Sequence, residues 1–302
     1  MSALAERWLG RLVGKRFPGM RALHFFRRDP LAVLGAVVVV GCLAVMIFAP
    51  WLTPYPEEGR GDPNMSNKLL PPSPEHRFGT DQMGRDVLAR IIFGSRVSVP
   101  MGVLVALVAV LIGVPIGAIS GYAGGWLDEA IMRVTDVFLA FPPLLLAIAI
   151  AAALGRSFTN AMLAIALTWW PWYARLVRSQ ALSLRQRSFV DAARCMGLTE
   201  PVIILRHVLP HTLTPVLVQA SLDIGSAILA GAGLSFLGLG VRPPVPDWGR
   251  MVSEGRLFFL NQWWVCAFPG LSIFLVVLAF NLVGDALRDW LDPRMRAQRQ
   301  WS

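Results

Sequence analysis

Two histidines four residues apart are the first side chains in this sequence that could bind a metal ion. On a continuous α-helix, His207 and His211 would lie on one face, which is the spacing that zinc-binding helices use. Pro210 stands between them, however, and no third ligand lies nearby. The three cysteines show no spacing of a zinc site or a disulfide framework. We therefore expect no bound metal.

The sequence also lacks the residues that covalent catalysis would need. A P-loop has two glycines around four variable positions, followed by Lys and then Ser or Thr. The only Gly-Lys pair, Gly14-Lys15, is followed by Arg16 and lacks the upstream glycine. A hydrolase embedded in a membrane would need a nucleophile and a base at the same depth, but all four histidines lie outside the long apolar segments. The sequence predicts a protein that is not an enzyme and binds no cofactor itself.

Three aspartates stand within or beside long apolar segments: Asp136, Asp223 and Asp285. An aspartate near the centre of a transmembrane helix costs roughly 2.5 to 3.5 kcal/mol on insertion scales, so each should face protein or water. Asp223 lies near the middle of its segment and, with the nearby Ser221, is our candidate for a cavity or for a hydrogen bond between subunits. Both interpretations stay open. We expect structural roles for Asp136 and Asp285.

The composition of the chain indicates that lipid is its solvent. It has 302 residues, of which 55% are hydrophobic and 16% are charged, whereas about a quarter of a soluble domain is charged. The first apolar segment is longer than the core of a signal peptide, so we expect it to be retained. The pattern predicts an all-α membrane protein with six transmembrane helices, in the apolar segments 31–50, 97–121, 130–154, 158–174, 213–234 and 263–284.

The distribution of positive charge along the chain indicates its topology in the membrane. The first 30 residues carry seven basic and two acidic side chains, and six arginines stand in the connection between the fourth and fifth segments. Cytoplasmic flanks retain Lys and Arg, so we predict that both termini are cytoplasmic and that no nucleic acid is bound. The predicted regions are a basic segment 1–30, a first span 31–50, an exported loop 51–96, a core 97–285 with a cytoplasmic loop 179–210, and a tail 286–302.

Glycines recur at every fourth position in the second apolar segment, at Gly113, Gly117 and Gly121. Such spacing lets a neighbouring helix approach closely in lipid, where no hydrophobic force drives helices together. We expect these glycines to pack against another span rather than to act as a hinge.

The predicted cytoplasmic loop should contain two short helices. Ser188 can cap the first, with Asp191 as the acid of a capping box, and Gly197 can end it. Thr199 can cap the second, and Pro210 should limit its end. This hairpin could dock into a groove of another protein, or it could fold against its own bundle, and composition alone does not decide. The apolar side chains expected to dock are Phe189, Val190 and Ala193.

The spacing within this loop resembles the EAA loop of binding-protein-dependent ABC importers. That pattern is Glu-Ala-Ala, three residues, Gly, nine residues, a residue such as Ile or His, one residue, and Leu-Pro. Here Asp191 replaces the glutamate, and the spacing is kept through Gly197 to Pro210. The resemblance implies an ATPase-coupling loop formed by Ser188, Phe189, Asp191, Ala192, Ala193, Gly197, Leu198, His207, Leu209 and Pro210.

Three further segments are similar to the dipeptide, oligopeptide and nickel branch of that family. Residues 78–88 read FGTDQMGRDVL and resemble its exported signature. Residues 234–249 contain LSFLGLG, then Pro-Pro and Trp-Gly, and resemble the stretch after its fifth span. Residues 280–293 resemble its closing motif. Together with the loop, these segments identify the chain as resembling the second, C-type permease of this branch.

The resemblance implies the type I importer fold and its partners. These are a second, similar permease that completes the translocation cavity, two ATPase subunits that bind ATP and Mg²⁺, and an extracytoplasmic binding protein. It also implies a bacterial inner membrane and short peptides as substrate, with nickel complexes, glutathione-like peptides and sugars left open, as is a homodimer. A secondary transporter is the rival class, but it would show internal repeats, and none is convincing here.

At the end of the predicted exported loop, residues 84–95 have the pattern of an amphipathic helix, which we expect at the membrane surface. Val87, Leu88, Ile91 and Ile92 share one face. Asp86 should pair with Arg90 on the other face. The helix could be a collar that fixes the entry to the second span, which we favour, or a platform near the binding protein.

Overall fold

The computed structural model describes residues 29–291, and this part of the chain is helical and contains no β-strand. The all-α prediction is confirmed there, while most of the predicted basic segment and tail lies outside the described residues. The α-helices are α1 (Pro30–Phe48), α2 (Pro56–Arg60), α3 (Val87–Ala123), α4 (Gly125–Leu139), α5 (Pro143–Leu154), α6 (Phe158–Arg185), α7 (Ser188–Cys195), α8 (Glu200–Ile203), α9 (Leu209–Phe236), α10 (Trp248–Gly255) and α11 (Trp264–Leu291).

Four helical stretches in the described part are long and apolar enough to cross a membrane: Pro30–Trp51, Val87–Ala123, Glu200–Phe236 and Trp264–Leu291. The pair α4 and α5 would make a fifth if it is one span. Helix α6 contains the predicted fourth segment but falls short in apolar character, because three tryptophans, a proline and a tyrosine occupy its middle. The described part therefore contains several helices of transmembrane length and apolar character, and the count of six spans stays a prediction.

The predicted third span, 130–154, is not one straight helix. Helices α4 and α5 meet at an angle of 88°. Pro142 adopts an extended conformation with ψ of 124°, and Pro143 occupies the first turn of α5, where a missing N–H group costs nothing. Two consecutive prolines thus end one helix and start the next, and the polar side chains of α4 separate from the apolar α5.

The glycines of α3 allow a close approach to α6. A Cβ atom built on Gly117 would lie 2.3 Å from the carbonyl oxygen of Ala174. The equivalent atom on Gly113 would lie 2.5 Å from the carbonyl oxygen of Trp170. Real Cβ atoms do not come so near, so any side chain at these positions has to push the two backbones apart.

We expect Gly117→Ala to destabilise the protein by about 1 to 3 kcal/mol, the cost of overpacking a filled site. Gly233→Ala in α9 is the matched control, because no atom lies within 4 Å of its built Cβ and alanine favours a helix. Thermal unfolding in detergent would measure both variants. Equal melting temperatures for the two would contradict the packing described here.

The first turns of α3 and the segment before it are fixed by indole hydrogen bonds to the polypeptide backbone. Trp248 at the start of α10 donates its indole N–H to the carbonyl oxygen of Ile91 at 2.9 Å. Trp264 at the start of α11 donates to the carbonyl oxygen of Thr80 at 3.2 Å. These bonds fasten the first turns of α3 to α10, and the segment before α3 to α11.

The predicted surface helix 84–95 is wrong as a separate element. Helix α3 begins at Val87 and continues without interruption to Ala123, and both Val87 and Arg90 are buried. Asp86 caps this helix through the backbone N–H of Ala89 and contacts Nδ1 of His76 at 3.0 Å, so it does not pair with Arg90. The first turns of α3 form a buried collar, and the tertiary contacts of Arg90 explain why a local pairing rule failed.

Arg90 belongs instead to a buried charge cluster made of Asp81, Arg85, Arg90 and Glu254. Oδ2 of Asp81 accepts hydrogen bonds from Arg85 at 2.7 Å and from Arg90 at 2.6 Å. Oε2 of Glu254 in α10 lies 3.4 Å and 3.3 Å from the same two guanidinium groups. Burial would raise the pKa of Glu254, but the adjoining arginines hold it below its ordinary value. The cluster ties the segment before α3 to α10.

Candidate functional site

A cleft of about 730 Å³ opens between the start of α5 and the helices α6 and α9. Its volume lies in the range of small-molecule pockets, roughly 300 to 1,000 Å³. Two indole rings, a carboxylate and a guanidinium group are among the groups that line it. The lining residues are Pro143, Trp169, Trp172, Arg175, Leu176, Gln219, Asp223 and Ser226.

Asp223 is held at this cleft by two neutral donors. The hydroxyl of Tyr173 in α6 donates to Oδ2 at 2.6 Å. The amide of Gln219, one helical turn earlier in α9, donates to Oδ1 at 2.9 Å. Each carboxylate oxygen keeps further acceptor capacity. The structure therefore places Asp223 where one of its two predicted roles requires it.

Ser221 does not line this cleft. Its hydroxyl donates to the carbonyl oxygen of Val218 at 2.7 Å, within its own helix. Residues 219, 223 and 226 recur at helical spacing on one face of α9, and position 221 is out of phase with them. The sequence grouped Ser221 with Asp223 by closeness along the chain, which helical geometry does not support.

The other two predicted acidic positions behave differently. Asp136 in α4 forms an ion pair with Arg175 in α6, as its expected structural role implies. Asp285 in α11 is exposed. A further pair, missed in the sequence, joins Asp128 in α4 to the guanidinium group of Arg178, with two contacts of 2.6 Å. A bidentate pair fixes the geometry of its two groups strongly. Together, the Asp128–Arg178 and Asp136–Arg175 pairs hold α4 to α6.

The tryptophans of α6 divide between packing and the cleft. Trp170 is buried, with its ring centroid 5.4 Å from that of Phe138. Trp172 is 56% exposed and lines the cleft with Trp169. Trp170 therefore packs within the bundle, whereas Trp172 is available to a molecule in the cleft.

Helix α7, at the predicted coupling loop, buries one face against its own chain. Val190 and Ala193 are fully buried in a cluster with Tyr122, Ala181 and Ile203. The prediction that Val190 and Ala193 dock into another protein is therefore wrong. The exposed positions of this helix and the turn after it include Phe189, Ala192, Cys195 and Met196.

The first helix of the loop ends as the sequence predicts but starts differently. Gly197 has φ of +78°, and the N–H of Leu198 bonds back to the carbonyl oxygen of Ala193 at 3.2 Å, which closes a Schellman motif. Ser188 is the first helical residue rather than the cap, and the preceding Arg187 provides no side-chain cap. The sequence rule placed the cap one residue too late.

The second helix does not end at Pro210. Helix α8 continues through a π-helical turn, Ile204–Val208, into α9, and Pro210 lies in the first turn of that helix. Thr199 precedes α8 without a side-chain cap bond. A π-turn shifts the hydrogen-bond ladder and can accommodate a proline. The loop is therefore one short helix, α7, beside an extension of α9, rather than a separate hairpin.

The side chain of His211 contacts groups of its own chain. Nδ1 of His211 lies 2.8 Å from the carbonyl oxygen of His207, and its ring stacks on Phe189 with the centroids 5.3 Å apart. This stacking connects the exposed side of α7 to the start of α9. Among residues 29–291, no group of three possible ligands is arranged to hold a metal ion.

Comparisons with known proteins agree over nearly the whole chain. Residues 113–297 match the family described as binding-protein-dependent transport system inner membrane component, and residues 18–72 match the N-terminal TM domain of oligopeptide transport permease C. The chain is 48% identical to the probable D,D-dipeptide transport system permease protein DdpC of Escherichia coli (strain K12), covering 92% of this chain and 93% of that protein.

Two other relatives and a solved structure extend the comparison. Identity is 45% to the dipeptide transport system permease protein DppC of Alkalihalophilus pseudofirmus, over 93% of this chain and 91% of that protein. It is 44% to the glutathione transport system permease protein GsiD of Escherichia coli O6:K15:H31, over 90% and 89%. A chain of the inward-facing MetNI methionine ABC transporter has the same fold, with a TM-score of 0.55 at 17% identity over 68% of this chain and 96% of that chain.

These matches cover both the bundle around the cleft and the segment that contains α7. Relatives of 44% to 48% identity over at least 90% of the chain leave no competing family. The chain belongs to the binding-protein-dependent transport system inner membrane components, in the peptide branch of the ABC importer permeases.

Proposed function

We propose that this chain is one of two permease subunits of an ATP-driven importer of short peptides. The observation that carries the proposal is the 48% identity to a probable D,D-dipeptide permease over 92% of the chain. The open cleft beside Asp223 supports it, because a subunit that forms half of a pathway needs a solvated face. Nickel complexes and other small solutes are the alternative cargo for the same architecture.

In this proposal the chain crosses the membrane six times, with both termini in the cytoplasm. Helix α6 is the additional span, since its apolar first half packs between other helices, and α5 completes the third crossing after the bend. The loop 51–96 is exported, the core runs from 97 to 285, and residues 179–210 face the ATPases. The contrast between the arginine-rich connection and the charge-balanced exported loop supports this orientation.

The partners follow from the absence of a nucleotide motif and from the exposed side of α7. Two ATPase subunits bind ATP and Mg²⁺, and each holds one permease by a helix laid in a surface groove. A second, homologous permease completes the cavity, and a binding protein delivers peptide from outside. On this chain, Phe189, Ala192 and Met196 contact the ATPase, while Val190 and Ala193 keep α7 attached to the bundle.

The partners are tested by extracting the tagged chain from its own membranes in mild detergent. Mass spectrometry should find an ATPase and a second permease bound to it, and more binding protein when ATP is trapped. The removal of α7 residues 189–196, replaced by a Gly/Ser linker of equal length, should release the ATPase and retain the second permease. If this chain purified alone under every condition, the assembly proposed here would be wrong.

The end of α7 gives a sharper test, because Gly197 has a left-handed backbone and open space around it. Gly197→Pro cannot adopt a positive φ, so we expect α7 to be displaced and peptide uptake to fall by roughly tenfold, with the chain still inserted in the membrane. Gly197→Asn is the matched control, because asparagine tolerates this conformation and its side chain has room. Uptake assays on both variants at equal expression measure the effect, and normal uptake by Gly197→Pro would remove the coupling role.

A further inference from the structure

Asp223 differs from Asp128 and Asp136 because it has no cationic partner among the described residues. Asp136 pairs with Arg175, and Asp128 pairs with Arg178. Asp223 accepts hydrogen bonds from a phenol and an amide, and within residues 29–291 no Lys, Arg or His side chain forms an ion pair with it. Asp223 is therefore a carboxylate with a fixed orientation and no ion-pair partner in this part of the chain, whereas the guanidinium group of Arg175, which also lines the cleft, is paired with Asp136.

A carboxylate in this position raises the free energy of membrane insertion. An ionisable group inside a membrane protein disfavours insertion and generally faces a pathway or a partner charge. Tyr173 and Gln219 fix both oxygens of Asp223 and leave acceptor positions unused. Neutral donors orient the group without cancelling its charge, so a cation that enters the cleft meets a prepared acceptor.

The surroundings of the carboxylate suit an organic cation rather than a bare metal ion. Trp169 and Trp172 line the same cleft, and the faces of indole rings attract ammonium groups. A metal ion would need several oxygen, nitrogen or sulfur ligands. Among the described residues, the lining offers the carboxylate of Asp223, the amide of Gln219 and the hydroxyl of Ser226, and no further carboxylate, imidazole or thiol group.

We propose that Asp223 binds the free α-ammonium group of a short peptide during its passage through the cleft. This inference rests on the proposed function, because it requires that peptides enter this subunit. It adds the group of the substrate that is recognised and the residue that recognises it, with Tyr173 as a positioning residue. Peptides without a free amino group should then interact weakly with the cleft.

A labelling experiment tests this without the binding protein. In a complete complex whose native cysteines are replaced, Ser226→Cys places a thiol at the cleft, and alanyl-alanine is added while maleimide labelling is followed. The dipeptide should slow labelling, and propionyl-alanine, the same molecule without the amino group, should protect far less. With Asp223→Asn added, the concentration needed for protection should rise by roughly tenfold or more, the loss expected for one charge-assisted hydrogen bond.

Two variants separate recognition from a structural role. Asp223→Glu keeps the charge and should restore part of the preference for the free amino group, which a purely structural loss would not. Tyr173→Phe should weaken protection less than Asp223→Asn does. A thiol at Ser221→Cys, in the same helix but outside the cleft, should be labelled at the same rate with and without dipeptide.

The outcomes distinguish this inference from the function on which it rests. If the complex imports alanyl-alanine but Asp223→Asn is protected as well as the parent, the ammonium site is wrong and the importer proposal stands. If Asp223→Asn instead separates the two permeases, the carboxylate pairs with the partner subunit and the inference is overturned. If the parent complex neither imports peptides nor is protected by them, both proposals fail.

Discussion

Ala192→Arg is expected to abolish peptide uptake while leaving the permease folded. Ala192 lies on the exposed side of α7, whereas the adjacent Ala193 is fully buried. An arginine at an exposed position costs little folding energy, but at the centre of a docked helix it introduces a bulky charge into a desolvated contact. A loss of about 3 kcal/mol in ATPase binding corresponds to roughly a hundredfold in affinity.

The measurement is ATP-driven uptake together with the amount of ATPase that co-purifies. Ala192→Ser is the matched control and should retain both, because it adds a single oxygen atom. Ala193→Arg provides the contrast, since it should reduce the melting temperature of the permease by disrupting the cluster with Tyr122. Full uptake by Ala192→Arg would show that this side of α7 is not the docking surface.

Asp81→Asn is expected to destabilise the protein by about 3 to 5 kcal/mol, the usual cost of removing one partner from a buried ion pair. The substitution leaves the guanidinium groups of Arg85 and Arg90, each 3% exposed, with Glu254 as their remaining ion-pair partner among residues 29–291. The segment before α3 should then detach from α10. A lower melting temperature and faster proteolysis between residues 52 and 86 would report this change.

Glu57→Gln is the control for the loss of charge alone. Glu57 pairs with Arg60 at 2.8 Å, but the two side chains are 63% and 54% exposed. Exposed pairs contribute about 0 to 1 kcal/mol, so this variant should unfold like the parent. Similar melting temperatures for Asp81→Asn and Glu57→Gln would contradict the role given to the buried cluster.

Long-range contacts explain much of what the sequence left undecided at the cleft. The position of Asp223 near the middle of an apolar segment was enough to select it as a candidate site residue. Gln219 lies four residues earlier on the same helix face, so this spacing could have identified it as well. Tyr173 could not, because it is 50 residues away along the chain and reaches Asp223 only through the packing of α6 on α9. Ser221 was included because closeness in sequence was used in place of helical phase.

The coupling segment was predictable in spacing but not in orientation. Gly197 marked the end of α7 because only a left-handed residue closes that motif. Both sides of the eight-residue helix carry apolar side chains, so local pattern could not tell that Val190 and Ala193 face the bundle while Ala192 faces outward. The packing of Tyr122, from the end of α3, decides it.

Apolar length predicted the spans best where no pair of consecutive prolines interrupted the segment. Segments 31–50, 213–234 and 263–284 lie within or largely coincide with the helical stretches Pro30–Trp51, Glu200–Phe236 and Trp264–Leu291. The third segment was treated as continuous although Pro142 and Pro143 stand inside it, and this local signal could have predicted the bend. Helix α3 starts ten residues before its apolar part because charged side chains are buried there. A hydropathy pattern does not detect such burial.

We infer that this permease works only within an ATP-driven assembly. The most direct measurement is uptake of labelled alanyl-alanine by vesicles that contain both permeases and both ATPases, with ATP supplied on the ATPase side and binding protein on the other. Uptake should require both additions and should persist when ionophores collapse all ion gradients. Uptake by this chain alone, driven by an ion gradient and independent of ATP, would show instead that the protein is a secondary transporter.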